Sequence, residues 1–377
     1  MTPPRPDPSL PHLADVVPAV LAAMGLTGFD SPIRLPYDVA GACVLLIDGL
    51  GAELLDAHAG DAPVLAGLRG RTLQVGFPST TAAGLAAVGT GCRSGEHGMV
   101  GMSFRLPDVG VVNALRWSPH PWGEDLRDRA VPEVVQPRPT LFERAAAAGA
   151  AVTVISEAKF AGSGLTRAVL RGGTYAGVHT MGDLAAKIGS VVAERGFCYG
   201  YHADLDLVGH LHGPGSRAWR LQLRQVDKMV ESIIEGLPTG GLLAVVADHG
   251  MVSLDGSVID LDAEAALADG TTEVGGEVRA RHVYTRDGAT ADVLDTWRAT
   301  LGDRAWVITG DEAVELGWFG EHVADAVRAR IGDVVAAARG NSGMLRRTTE
   351  PIESSLVGQH GSLTDAEQRI PLLVAHR

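Results

Sequence analysis

The stretch "ACVLLIDGLG" (residues 42–51) is an unbroken apolar run that stops at an aspartate and a glycine. It lacks the two-residue alternation of a half-exposed strand and is too short for a typical helix, so it reads as a strand buried on both faces. Four further runs share this character: "AVTVIS" (151–156), "FCYGY" (197–201), "LLAVVA" (242–247) and "IPLLVA" (370–375). Between them lie helix-like stretches, "TLFERAAAAGA" (140–150), "DLAAKIGSVVAERG" (183–196) and "RAWRLQLRQVDKMVESIIEGL" (217–237). Buried strands alternating with helices predict an α/β fold, with a mostly parallel central sheet covered by helices on both faces.

The flanking regions read differently. The Pro-rich residues 1–12 predict an extended arm or a disordered tail, followed by a helix over "LADVVPAVLAAMG" that ends at Gly25. Residues 253–355 mix an alternating segment, "EVRARHVYTR", with a helical one, "ADVLDTWRATLGD". This predicts a small α+β, cap-like insertion before the last core strand, within a single catalytic domain spanning 1–377.

With 377 residues, 46% hydrophobic and 20% charged, the chain has the composition of an ordered globular protein. Its formal net charge of −13 argues against a nucleic-acid polymer as partner, though not against a small anionic substrate held locally. The start of the chain lacks the pattern of a signal peptide, and no apolar run reaches the length of a membrane span, so no membrane association and a cytoplasmic location are expected. Cys43, Cys92 and Cys198 form no CxxC and read as reduced thiols. Phosphate-loop, dinucleotide-binding, HExxH and GxSxG motifs are all missing. The sequence leaves the oligomeric state open.

Acids and histidines gather where the strands end. Asp48 follows the first strand; Asp206 and His210 follow "FCYGY" and, four apart, share a helical face. Asp248 and His249 follow "LLAVVA", and His360 sits in "GQHGSL". Ligands of open α/β sheets collect at the carboxyl ends of strands. Singly, each of these residues reads as a turn, a surface pair or a loop histidine. Together they are a ligand set for borderline cations such as Zn²⁺, without excluding Mn²⁺, and large enough for two adjacent ions. Paired ions roughly 3.5–4 Å apart serve in-line displacement at phosphorus.

Between Asp48 and Asp206 lies "GFPSTTAAGLAAVGTG" (76–91), where two threonines open a helix of small residues. On its own "STTAAG" reads as a helix N-cap. Beside a metal set, a threonine at a helix start becomes a candidate nucleophile. The helix end supplies N–H groups and partial positive charge for a phosphate, and Ala82, Ala83 and Gly84 are expected to let it approach the backbone.

The motifs "LLIDGLG", "FPSTTAAGLAAVGTGCRSGEHGMVG", "YHADLDLVGHLHGP", "VVADHGM" and "GQHGS", in this order over residues 43–362, resemble the alkaline phosphatase superfamily, and within it the nucleotide pyrophosphatase/phosphodiesterase (type I phosphodiesterase) branch. The resemblance implies an alkaline-phosphatase-like three-layer sandwich and a metal-dependent hydrolase of phosphate diesters or nucleotide pyrophosphates. It implies one zinc held by Asp206, His210 and His360. The second would be held by Asp48, Asp248 and His249 with the nucleophile, which three residues after Pro78 is Thr81. Thr80 then takes a variable position. One departure stands out: Gly101 occupies the place of an asparagine expected to hold a phosphate oxygen, leaving Asn113, Arg105 or backbone N–H groups as substitutes. A phosphonate hydrolase or a phosphomonoesterase on the same scaffold is the alternative, and a non-catalytic binding protein a remoter one. His97, His202 and His212 read as structural. Trp117 and Trp122 read first as packing, with stacking on a base or aglycone as the alternative.

Overall fold

A computed structural model describes residues 2–35 and 38–377. At its centre is a seven-stranded sheet of β1 (Gly41–Ile47), β2 (Arg69–Gln74), β3 (Val152–Glu157), β4 (Thr174–Val178), β5 (Phe197–His202), β6 (Gly241–Val246) and β7 (Arg369–His376). The spatial order is β2-β7-β6-β1-β5-β3-β4. Strands β4, β3, β5, β1 and β6 are parallel; β7 runs antiparallel to both β6 and β2. Every residue of β1, β5 and β6 is buried, as continuous apolar runs require.

The register positions the site. Ile47 of β1 lies opposite His202 of β5, and Leu46 opposite Val246 of β6, so the three strands end nearly level. Whatever follows them leaves from the same edge of the sheet. The two edge strands, β2 and β4, had no clear signature because they are half-exposed and carry residues such as Arg69, Arg71 and Thr174. The amino-terminal arm is extended and packed. The Trp318 indole donates to the Pro4 carbonyl at 2.8 Å, and the Gln74 side chain on β2 donates to the carbonyls of Asp7 and Leu10. A 3-10 turn (Leu13–Asp15) then leads into a helix over Val16–Ala23.

Four helices matter for the site or its support: α1 (Thr81–Thr90), α2 (Met181–Ala193), α3 (Asp204–His212) and α4 (Arg217–Glu235). Helix α4 buries Trp219, Leu223, Val226, Val230 and Ile233, alternating steps of four and three that keep one face on the sheet. Ser216 caps it by accepting from the Trp219 N–H. Helix α1 differs, being buried from Ala82 to Thr90.

Between β6 and β7 the chain builds a four-stranded antiparallel sheet in the order Thr271–Glu277, Ala280–Thr285, Val334–Ala338, Ala305–Thr309. Ala280, Ile308, Val335 and Ala337 join the main core. Val283, Val307, Val334 and Ala336 instead form a second core with Trp297, Val293 and Leu301 of α5 (Thr290–Leu301). A three-stranded ribbon (103–106, 110–113, 118–119) lies against this sheet, with the Ser103 hydroxyl donating to the Gly276 carbonyl. Cys43 and Cys198 are buried, in register on β1 and β5, and all three cysteines are free thiols. No helix among the described residues is long and apolar enough to cross a membrane.

Candidate metal centre and nucleophile

Asp48 leaves β1 at the shared edge and Asp248 leaves β6; Asp206 and His210 project from the helix that follows β5. Gly49 makes the approach of two of these acids feasible. Its φ is +74°, and a Cβ there would come within 2.9 Å of the Asp206 carboxylate. His360 arrives from the far end of the chain, just before β7. Its ring stacks on that of His249, with centroids 3.5 Å apart.

The described residues contain two groups of side chains close enough to share an ion. One is Asp206, His210 and His360; the other is Asp48, Asp206 and His249. Asp206 thus lies between the two. Asp248 stands just beyond the second group, its Oδ2 3.7 Å from His249 Nε2 while its Oδ1 accepts from the Gly49 N–H. All six residues named from the sequence are therefore brought together. Thr81 joins them, its Oγ1 3.3 Å from His249 Nε2.

The histidines are held in one orientation. The Nδ1 of His210 lies 2.7 Å from the Gly358 carbonyl, that of His360 2.9 Å from the Ser79 carbonyl, and that of His249 3.1 Å from the Gly250 carbonyl. A carbonyl only accepts, so each Nδ1 carries a proton and Nε2 is the atom left to face the acids, offering a lone pair to a cation or, on His210 without one, an N–H to Asp206. The Nε2 atoms of His210 and His360 face each other at 3.3 Å. One oxygen of each buried carboxylate, Asp48 Oδ1, Asp206 Oδ1 and Asp248 Oδ2, has no hydrogen-bond partner. Converging lone pairs and orphaned carboxylate oxygens are the arrangement that bound divalent cations satisfy, and carbonyl-bonded imidazoles are typical of metal ligands. The residues present therefore fit metal ions.

The electrostatics agree. Burial, followed by the charges of Asp248 and Asp206, pushes Asp48 well above the usual carboxylate range. Burial also raises Asp248, against the opposing charge of His249. Asp206 moves the other way. Burial acts to raise it, but the charge and hydrogen bond of His210 hold it below its ordinary value. His360 is lowered by burial and by His249, which keeps it neutral.

Helix α1 presents Thr81 at its first position, with Thr80 as N-cap. Its small residues also serve close packing. A Cβ on Gly84 would lie 2.4 Å from Asp248 Cβ, and one on Gly89 would overlap the Val169 carbonyl. They let a fully buried helix press against the end of β6, which sets the distance from Thr81 to the acids.

Two suggested substitutes for the asparagine are already engaged. Asn113 is buried, with its Oδ1 accepting from the N–H groups of Leu115 and Arg116, which makes it a turn residue. Arg105 lies over the Tyr284 ring at 4.3 Å and faces Glu273. His97 is buried, accepts from the Met99 N–H and is lowered by burial to about 3, a structural role. Trp117 is buried and donates to the Ala130 carbonyl, whereas Trp122 is half-exposed beneath the Arg116 guanidinium.

Two residues near the site carried no signal in the sequence. Tyr201, inside the β5 run, donates its hydroxyl to Asp48 Oδ2. A tyrosine two residues after Tyr199 on a buried strand looks like core, and only the register across β1 shows what it meets. Glu277, from the insertion, accepts the Thr80 hydroxyl at 2.7 Å. Its neighbours in sequence give no hint of a partner near residue 80.

Comparison with known proteins bears on the fold and the family. No curated protein sequence matches the chain. Among solved structures, the murine ectonucleotide pyrophosphatase/phosphodiesterase 5 is similar with a TM-score of 0.69 at 17% identity, covering 89% of this chain and 88% of that one. An inactive variant of the same murine protein in complex with AMP gives 0.67 at 18% identity, over 88% and 87%. Phosphonoacetate hydrolase from Sinorhizobium meliloti 1021, in complex with phosphonoformate, gives 0.67 at 19% identity over 89% and 90%. These likenesses establish the alkaline-phosphatase-like fold. The family model described as type I phosphodiesterase/nucleotide pyrophosphatase matches residues 42–363, from the first core strand to just past His360. With this match over most of its length, the chain belongs to the type I phosphodiesterase/nucleotide pyrophosphatase family of phosphoric ester hydrolases.

Proposed function

We propose that the protein hydrolyses phosphate diesters or phosphoanhydrides of the nucleotide pyrophosphate type, through a phospho-threonine on Thr81, at a centre for two zinc ions. The observation that carries this is the placement of Thr81 Oγ1 at the start of a buried helix, 3.3 Å from His249 Nε2 and beside orphaned carboxylate oxygens. We assign Asp206, His210 and His360 to one cation, and Asp48, Asp248 and His249 with Thr81 to the other. When bound, the cations supply charge neutralisation and ionise the threonine and the hydrolytic water near neutral pH.

The rest is the work of the chain. Thr81 Oγ1 attacks phosphorus in line, and the bond to the leaving oxygen breaks as the Oγ1–P bond forms. Water then displaces Thr81, one of its protons returns to the threonine oxygen, and a phosphate monoester departs. The backbone N–H groups at the start of α1 point toward a non-bridging oxygen. The carbonyl-bonded histidines keep their Nε2 atoms aimed inward throughout. We read residues 253–355 as an insertion in a single catalytic domain.

The likeness to a phosphonoacetate hydrolase, together with Gly101 in place of the expected asparagine, supports a second reading, cleavage of a C–P bond on the same scaffold. One panel separates the two: a bis-aryl phosphate, an aryl phosphate, a dinucleotide and phosphonoacetate, assayed with wild type and Thr81→Ala at equal metal content. The expected result is preference for the diester or dinucleotide, with a loss on the order of 10³-fold or more in Thr81→Ala. Thr80→Ala should lower turnover only a few-fold. Preference for phosphonoacetate favours the second reading, and near-normal turnover by Thr81→Ala removes the phospho-threonine.

A further inference from the structure

Thr80 has the backbone of an N-cap, with φ −138°, ψ 150° and its carbonyl accepting from the Gly84 N–H, yet its side chain makes no cap bond. A threonine in this position normally turns its hydroxyl oxygen onto the N–H of the second or third helical residue. Here the hydroxyl is drawn away to Glu277 Oε2 at 2.7 Å. The same oxygen accepts from the Met102 N–H at 3.2 Å. Glu277 is 6% exposed, and its other oxygen, Oε1, is buried without a partner on the side facing Gly361.

The residues that follow Glu277 are anchored by buried ion pairs. Arg279, two residues on, makes a bidentate pair with Glu367 and donates to the Ser342 and Gly340 carbonyls. Arg281 pairs with Glu350 and donates to the Met344 carbonyl. Both guanidinium groups are wholly buried. These bonds anchor the hairpin tip, and Glu277 reaches from it to the N-cap of α1.

We propose that Glu277 is a positioning residue that withdraws the Thr80 hydroxyl from the start of α1, leaving the N–H groups of Ala82 and Ala83 for a non-bridging oxygen of the substrate. This rests on the reading of the site as a phosphoryl-transfer centre. It provides for that oxygen without the asparagine replaced by Gly101. A side-chain cap and a phosphate oxygen compete for the same donors, so the chain must hold the cap aside before the substrate arrives.

The test is binding of inorganic phosphate to the metal-loaded full chain by calorimetry, with metal content checked for every variant. Glu277→Gln removes the charge but keeps an acceptor for Thr80, and is the reference. Glu277→Ala releases the hydroxyl and is expected to bind phosphate about fivefold more weakly than Glu277→Gln, the factor corresponding to one N-cap. Adding Thr80→Val to Glu277→Ala removes the competing hydroxyl and is expected to restore the affinity of Glu277→Gln, a rescue that general damage to the fold would not give. Glu277→Asp, one methylene shorter, is a second route to the same release where Glu277→Ala does not fold. Equal affinity of Glu277→Ala and Glu277→Gln, or no recovery with Thr80→Val, overturns the inference and leaves the site assignment intact. A wild-type chain that holds metal but binds no phosphate overturns the site assignment, and this inference with it.

Discussion

The carboxyl edge of the parallel sheet and the 271–285 hairpin both bury charge, and they balance it in opposite ways. In the hairpin, each buried cation has its own carboxylate: Arg279 with Glu367 and Arg281 with Glu350, the latter also bonded to His120. At the sheet edge, Asp48, Asp206 and Asp248 stand together, and their ion-pair partners among the described residues are histidines alone. Removing a carboxylate or ammonium from water costs several kcal/mol unless it is paired. The hairpin meets that cost internally and acts as framework. The edge is built to meet it with positive charge from outside the chain, which marks it as a site.

Single substitutions can break this contrast. Arg279→Leu leaves Glu367 buried and unpaired, and should destabilise the chain by about 3–5 kcal/mol in urea denaturation. Asp48→Asn should do the reverse in the chelator-treated protein. Relieving a cluster of like charges is expected to raise its stability by about 1–3 kcal/mol, at the expense of metal binding. If both substitutions destabilise the metal-free chain equally, the two regions do not differ in kind.

Glu277 sits between the two regimes and sharpens the comparison through pH. Burial, against the bonds from Thr80 and Met102 and the charge of Arg281, raises it from 4.5 to about 7, and Glu367 pushes the same way as burial. An acid raised on folding contributes stability that is complete below its unfolded value and lost as pH climbs through the folded one. Wild type should therefore lose stability relative to Glu277→Gln between pH 5 and pH 8, by about 2–3 kcal/mol, as read from paired urea titrations. A constant difference across that range would show that Glu277 does not change charge there.

The smallest expected effect concerns Tyr201. Its hydroxyl orients Asp48 from the strand next door, and partners of this type commonly modulate metal affinity by an order of magnitude or more. Tyr201→Phe should weaken zinc binding about tenfold in a chelator competition, with thermal stability of the metal-free chain nearly unchanged.

The same contrast governs what could be read from the sequence. The central strands are legible because their burial is local. "ACVLLI" and "LLAVVA" carry no polar residue to mislead, and an acid at the end of such a run falls at the edge where ligands gather. His360 needed the family pattern, since a histidine between glycines says nothing by itself. In the hairpin the signal points the wrong way. The alternating charges in "EVRAR" look like a solvent-facing row, yet Glu277, Arg279 and Arg281 are buried. Their partners lie 197, 88 and 69 residues away, and no local pattern encodes pairings at that range. Edge strands β2 and β4 were missed for the converse reason, since exposure removes the apolar signature that marks a strand.

The bond from the His360 imidazole to the Ser79 carbonyl spans 281 residues. Asp48 and His360 stand at opposite ends of the run of motifs, so the proposed ligand set closes only when segments far apart in sequence have come together. Contacts at such separation form late and slowly. The carbonyl that orients His360 thus ties the proposed ligand set to the long-range closure of the fold.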